Sequence, residues 1–184
     1  MLRFFVALLA LLAAAPAGTT EAGWALLRNG GQVVLINHAH APGSGDPANF
    51  DIENCTTQRN LSDRGRQQAR RMGALFFARA APIERVLTSR YCRARDTADL
   101  AFGDNAVEIF EALDYFEPGS KAEEVQTEAV LERIRGYSGA GNLLMVTHQP
   151  NIQALAGVKA REGQAIILSR SGETIGVAAR VGFD

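Results

Sequence analysis

Gln32-Val33-Val34-Leu35-Ile36-Asn37-His38-Ala39-His40 decides how this chain is read. An apolar, partly β-branched run stops at two histidines, and Gly43, Gly45 and Pro47 follow closely. Such a run, bounded by turn residues, reads as a strand buried on both faces, as in a parallel sheet. In open α/β sheets ligands bind beyond the carboxyl ends of the strands. The stretch therefore delivers His38, and with it His40, to the edge where chemistry is usually done.

The rest of the chain supplies a sheet for that strand to join. After a polar loop over residues 41–60, Ser62 is suited to cap a helix with Asp63 in its first turn. Ala69, Met72, Leu75 and Phe76 then recur at helical spacing, while Arg64, Arg66, Arg70 and Arg71 fall mostly on the opposite, solvated face. Residues 83–88 read as a second strand, 93–102 as a helix, 107–110 as a weak strand and 121–135 as a helix. Residues 142–147 form another apolar run ending on a histidine, His148, and Pro150 suits the first turn of a helix reaching residue 156. Residues 165–169 and 174–181 read as two closing strands. Strands alternating with helices predict a single three-layer α/β domain on a mostly parallel central sheet.

Composition narrows the function classes. The chain has 184 residues and a formal net charge of -1, which argues against a nucleic-acid or anionic-membrane partner. Arg3, an apolar run over residues 4–15 and Ala15-Pro16-Ala17 have the form of a secretory signal peptide over residues 1–17. This leaves a domain over residues 24–184, no membrane span after cleavage, and a periplasmic or secreted location. Removing the leader takes away only Arg3, so 18 basic residues face 20 acidic ones. In an oxidising compartment the two cysteines, Cys55 and Cys92, favour a disulfide, with two separate buried thiols as the alternative. Oligomeric state has no signature in the sequence.

If the strands ending at His38, near Ser89 and at His148 are parallel, His38, Arg93 and His148 converge on one edge. The helix that opens near Pro150 would add its N-terminal N–H groups there. Two histidines and an arginine at an anion site suggest phosphoryl transfer with histidine as nucleophile. A three-histidine zinc site from His38, His40 and His148 is the rival, and it leaves Arg93 unexplained.

Asn37-His38-Ala39, Arg59-Asn60-Leu61-Ser62-Asp63-Arg64-Gly65 with Ala69, Ser89-Arg90-Tyr91-Cys92-Arg93 with Thr97-Ala98, and Val146-Thr147-His148 together resemble the histidine phosphatase superfamily, which includes the cofactor-dependent phosphoglycerate mutases. The set is similar to small periplasmic members, some of which act on phosphorylated envelope sugars. The resemblance implies that His38 becomes phosphohistidine and that Arg93 and His148 hold the phosphoryl oxygens. It implies a further phosphate contact from Arg59 and a carboxylic acid after the third strand as proton donor. Glu111 fits that last role best, with Asp114 and Glu117 as rivals. No metal or other cofactor is implied; a small phosphorylated substrate is.

The family's first motif has arginine directly before the histidine, and this chain has Asn37. An asparagine offers phosphate a neutral N–H pair in place of a charged fork. Two readings follow: an exported phosphomonoester hydrolase with reduced turnover, or a phosphate- or phosphosugar-binding pseudoenzyme on the same fold.

Overall fold

A computed structural model of the chain describes residues 18–103, 105–172 and 174–183. The expected signal peptide, residues 1–17, lies outside the described residues. Among the described residues six strands form one sheet: β1 (Val33–Asn37), β2 (Ile83–Thr88), β3 (Val107–Ile109), β4 (Asn142–Thr147), β5 (Gln164–Ser171) and β6 (Thr174–Gly182). Their spatial order is β3-β2-β4-β1-β5-β6. β1, β2, β3 and β4 run parallel, whereas β5 is antiparallel to β1 and to β6.

Strand periodicity builds the layers. Val34 and Ile36 face one side of β1, together with Leu144 and Val146 of β4, into a core that includes Trp24, Phe76 and Phe102. Val33, Leu35, Leu143 and Met145 face the other side, against Leu113, Val130, Ile134 and Ile152. Both β1 and β4 are buried along their whole length, which explains their unbroken apolar sequences.

The first core is covered by α1 (Gly18–Asn29), α2 (Asp63–Ala78) and α3 (Cys92–Phe102), the second by α4 (Lys121–Arg135) and α5 (Gln149–Ala156). Ser62 caps α2 as its sequence suggests, its hydroxyl accepting from the Gly65 N–H at 3.1 Å. Gly65, Ala69, Met72 and Phe76 form the buried face of α2. The single three-layer α/β domain is therefore as the alternating pattern predicts. One element is additional: α1 precedes β1, and the domain start expected at residue 24 falls at its middle. That helix carries Trp24 and Leu27 into the core, with the Trp24 ring edge-on to Phe76 at 5.4 Å.

Candidate active site

The parallel arrangement brings the carboxyl ends of β1, β2 and β4 together. His38 follows β1, and its backbone N–H extends the ladder to the Thr147 carbonyl at 3.0 Å. Gly163, at φ +71°, sends its N–H toward both the Asn37 and His38 carbonyls, a conformation glycine adopts without penalty. On the other side the Ala39 N–H donates to Thr97 Oγ1 at 2.9 Å, and that hydroxyl donates to the Arg93 carbonyl at 2.7 Å. One threonine on α3 thus ties the turn after His38 to the residue that carries the buried guanidinium.

His38 is 3% exposed and His148 1%. Their rings meet edge-on with centroids 5.4 Å apart. His38 Nδ1 lies 2.8 Å from the Ala39 carbonyl, an acceptor, so Nδ1 carries the proton and Nε2 presents its lone pair. Burial is the main cause pushing the pKa of His38 from 6.5 to about 3, against the bond to Ala39 and with help from Arg93 and Arg59. At neutral pH His38 is an uncharged imidazole with a bare Nε2, the state a nucleophile requires. His148 is likewise pushed well below its usual value, first by burial and then by Arg93 and His38.

His148 is held by a chain of acceptors absent from the sequence reading. Its Nε2 donates to Ser89 Oγ at 3.0 Å, and Ser89 donates in turn to Asp114 Oδ1 at 2.9 Å. Because the Ser89 hydroxyl donates to the carboxylate, its oxygen is left to accept from His148 and from the Tyr91 N–H at 3.1 Å. This selects the Nε2–H tautomer and leaves His148 Nδ1, buried and without a hydrogen-bond partner, as the ring's other polar atom.

The arginines divide the remaining work. Arg59 Nη2 is 3.4 Å from His38 Nε2, and its Nη1 is fixed by the Ala41 carbonyl at 2.7 Å and by Glu162 at 3.2 Å. Arg93, 2% exposed, lies over the Tyr91 ring at 4.7 Å and pairs with Asp46 at 3.0 Å. Asn37 is also buried, but its amide nitrogen bonds to the Ala160 carbonyl at 3.0 Å. That bond engages the amide nitrogen with the segment before β5.

The carboxyl candidates separate by position. Glu111 is exposed, pairs with Arg90 at 3.3 Å and borders a 690 Å³ pocket, so the structure does not bring it to the cluster around His38. Asp114 is committed to Ser89 and to the Arg90 backbone and side chain, each at 2.7–2.9 Å. Glu117, which accepts from the Tyr115 hydroxyl at 2.8 Å, borders a smaller 280 Å³ cavity with Asp46, Arg59 and Arg93. Phe50, Tyr91 and Tyr115 border both spaces. His40 turns to Glu162 at 2.8 Å, and among the described residues no three His, Cys, Asp or Glu side chains gather as a metal site.

Cys55 and Cys92 form a disulfide, Cα–Cα 5.7 Å, anchoring the residue 41–60 loop beside Arg93. Buried Gln58 adds to it, accepting from the Cys92 N–H at 2.9 Å and donating to the Asp51 and Ile52 carbonyls.

Comparison with known proteins agrees with this fold. No curated protein sequence matches the chain. The protein histidine phosphatase SixA, solved with tungstate, superposes with a TM-score of 0.61 at 19% identity, covering 82% of this chain and 96% of SixA. A mutant phosphoserine phosphatase from Entamoeba histolytica, solved with phosphoserine, gives a TM-score of 0.63 at 12% identity, covering 81% of this chain and 95% of its own. At these identities the likeness establishes the fold. Residues 54–123, which include Arg59, Ser89 and Arg93, match the family described as Histidine phosphatase superfamily (branch 1).

Proposed function

We propose that this chain is an exported phosphomonoester phosphatase of the histidine phosphatase superfamily. In this reading it acts on a small phosphorylated molecule such as a phosphosugar, through a phosphohistidine at His38. The observation that carries it is an uncharged, buried His38 whose Nε2 faces the Arg59 guanidinium 3.4 Å away, with His148 alongside. Nε2 attacks phosphorus, the P–O bond to the leaving group breaks, and Arg59 and Arg93 stabilise the charge on the phosphoryl oxygens; His148 joins them once Nδ1 takes a proton drawn by the bound anion, its Nε2–H being backed by Ser89 and Asp114. Water then releases phosphate from His38. Glu117 takes the role of proton donor in this scheme, because of the three acids considered it borders the cavity above Arg93.

Arg59 leaves the nucleophile with one nearby guanidinium where position 37 supplies none. It brings a guanidinium to the nucleophile from the loop after β1, while Asn37 becomes a fastener to Ala160. Export is supported by the leader-like residues 1–17 and by the disulfide, which persists in oxidising compartments. Among the described residues no helix is long and apolar enough to cross a membrane. The pseudoenzyme reading keeps one observation in its favour, the engaged amide of Asn37.

Hydrolysis of an aryl phosphate by wild type, His38→Ala and Asn37→Arg separates the readings. Wild-type turnover that disappears in His38→Ala, with phosphate trapped on His38 by mass spectrometry, is the expected result. Turnover only after Asn37→Arg would favour the pseudoenzyme, and turnover surviving His38→Ala would end the histidine mechanism.

A further inference from the structure

Asp46 has no place in the motifs, yet it holds the most guarded cation of the site. Arg93 Nη1 donates to both Asp46 oxygens, at 3.0 and 3.1 Å, and the Arg59 backbone N–H donates to Asp46 Oδ1 at 2.8 Å. A buried guanidinium beside a backbone N–H is a donor set for an oxyanion, and here a carboxylate of the same chain fills it.

We propose that Asp46 is a built-in anion that occupies the phosphoryl subsite of the unliganded protein and roofs His38. A ligand gains the site by exchanging its own anionic group for Asp46 on Arg93. The inference rests on the reading that the His38–Arg93 cluster is the phosphoryl site. It adds that Asp46 sets specificity: an uncharged analogue of the substrate has nothing to exchange and leaves the roof closed.

Two further observations support the exchange. The 280 Å³ cavity above the cluster is bordered by Asp46, Arg59 and Arg93, while His38 and His148 lie beneath at 3% and 1% exposure. With so little of His38 exposed, opening that layer widens the approach to Nε2. The chain next to Asp46 has room on one side: a Cβ added at Gly45 would meet nothing within 4 Å, while the Gly43 carbonyl accepts from Arg59 Nη1 at 3.1 Å and marks where the movable part begins. Arg59 stays fixed by the Ala41 carbonyl and Glu162, and the disulfide anchors the loop further along, so Asp46 can swing while the arginines remain.

The test uses inorganic phosphate as probe, titrated calorimetrically into wild type, Asp46→Asn and Asp46→Ser. A site open only in a minor population binds more weakly by that fraction, so removing the competing carboxylate raises affinity by roughly tenfold or more. In parallel, carbethoxylation of His38, followed by peptide mass spectrometry, should run several-fold faster in both variants and be suppressed by phosphate. Asn keeps an acceptor for the Arg59 N–H, and the Ser variant decides should the Asn variant fail to fold. Equal or weaker phosphate affinity in a folded variant would overturn the proposal, as would phosphate binding to none of the three proteins. Tight phosphate binding by Asp46→Asn without hydrolysis of any phosphomonoester would end the phosphatase reading and leave this one standing. Active enzyme with unchanged phosphate affinity would do the reverse.

Discussion

Removing the Ser89 hydroxyl tests whether His148 works because it is held. Ser89 is fully buried, and its single oxygen serves His148 Nε2 at 3.0 Å, the Tyr91 N–H at 3.1 Å and Asp114 at 2.9 Å. Ser89→Ala leaves two donors without acceptors in a site too tight for solvent to replace them. Each orphaned donor costs about 1–3 kcal/mol, so a loss of about 2–4 kcal/mol is expected once partial relaxation is allowed. In a domain of this size that lowers the thermal midpoint by roughly 5–10 °C. The ring then loses the Ser89–Asp114 backing of its Nε2–H, so it can tilt and holds a proton on Nδ1 less well. Losing one charge-stabilising contact of about 1.4–2.8 kcal/mol in the transition state slows kcat/KM by roughly 10–100-fold. Urea denaturation reads the first effect and aryl phosphate hydrolysis the second. A variant destabilised as expected but with kcat/KM within twofold of wild type would refute the reasoning, because Ser89 would then be packing and its backing of His148 immaterial.

Three further outcomes are expected. His38 titrates near 3 in the fold and near 6.5 unfolded, so the unfolded chain binds the extra proton as pH drops. Stability should be full above pH 6.5 and fall by about 1.4 kcal/mol per pH unit from there toward pH 3, with His148 adding a loss of the same sign. Denaturant midpoints flat across that window would contradict the buried neutral pair. Reducing Cys55–Cys92, or replacing both by serine, opens a loop of 37 residues and should lower stability by about 4 kcal/mol in the chain-entropy account, seen as a shifted urea midpoint. Gly65→Ala should lower stability by about 2–3 kcal/mol, because its Cβ would come 2.1 Å from the His40 carbonyl where α2 starts against the turn after His38. An unchanged melting curve would show that this contact gives way freely.

What could be read from the sequence follows from how local the cause is. α2 announces itself because cap, first-turn acid and apolar stripe sit within one run, and α4 (Lys121–Arg135) has the bounds its spacing predicts. The apolar runs of β1 and β4 point to a parallel sheet because both their faces are covered. α1 was missed because its residues adjoin the leader and its apolar face is short. In the candidate site the motifs name His38, Arg93 and His148, whereas the tasks of Ser89, Asp114 and Asp46 rest on contacts made across the fold. Asp46 meets Arg93 at a sequence distance no periodicity encodes, and a lone aspartate in a polar loop looks like any solvated acid. Asn37 stood out as a substitution, but its actual partner, the Ala160 carbonyl, belongs to a segment made more than a hundred residues later.

The strand order has a consequence for how the protein is made. β1 is synthesised first among the strands, yet its two neighbours are β4 and β5, with Val33 paired to Leu143 and Val34 to Ile167. Until those late segments exist, the strand leading to His38 has no partner on either edge and remains exposed, apolar and open to aggregation. Such long-range pairing makes folding slow and leaves it to the end of the chain. A truncated copy therefore cannot carry a half-working site, because the nucleophile is set in place only when nearly the whole chain is present.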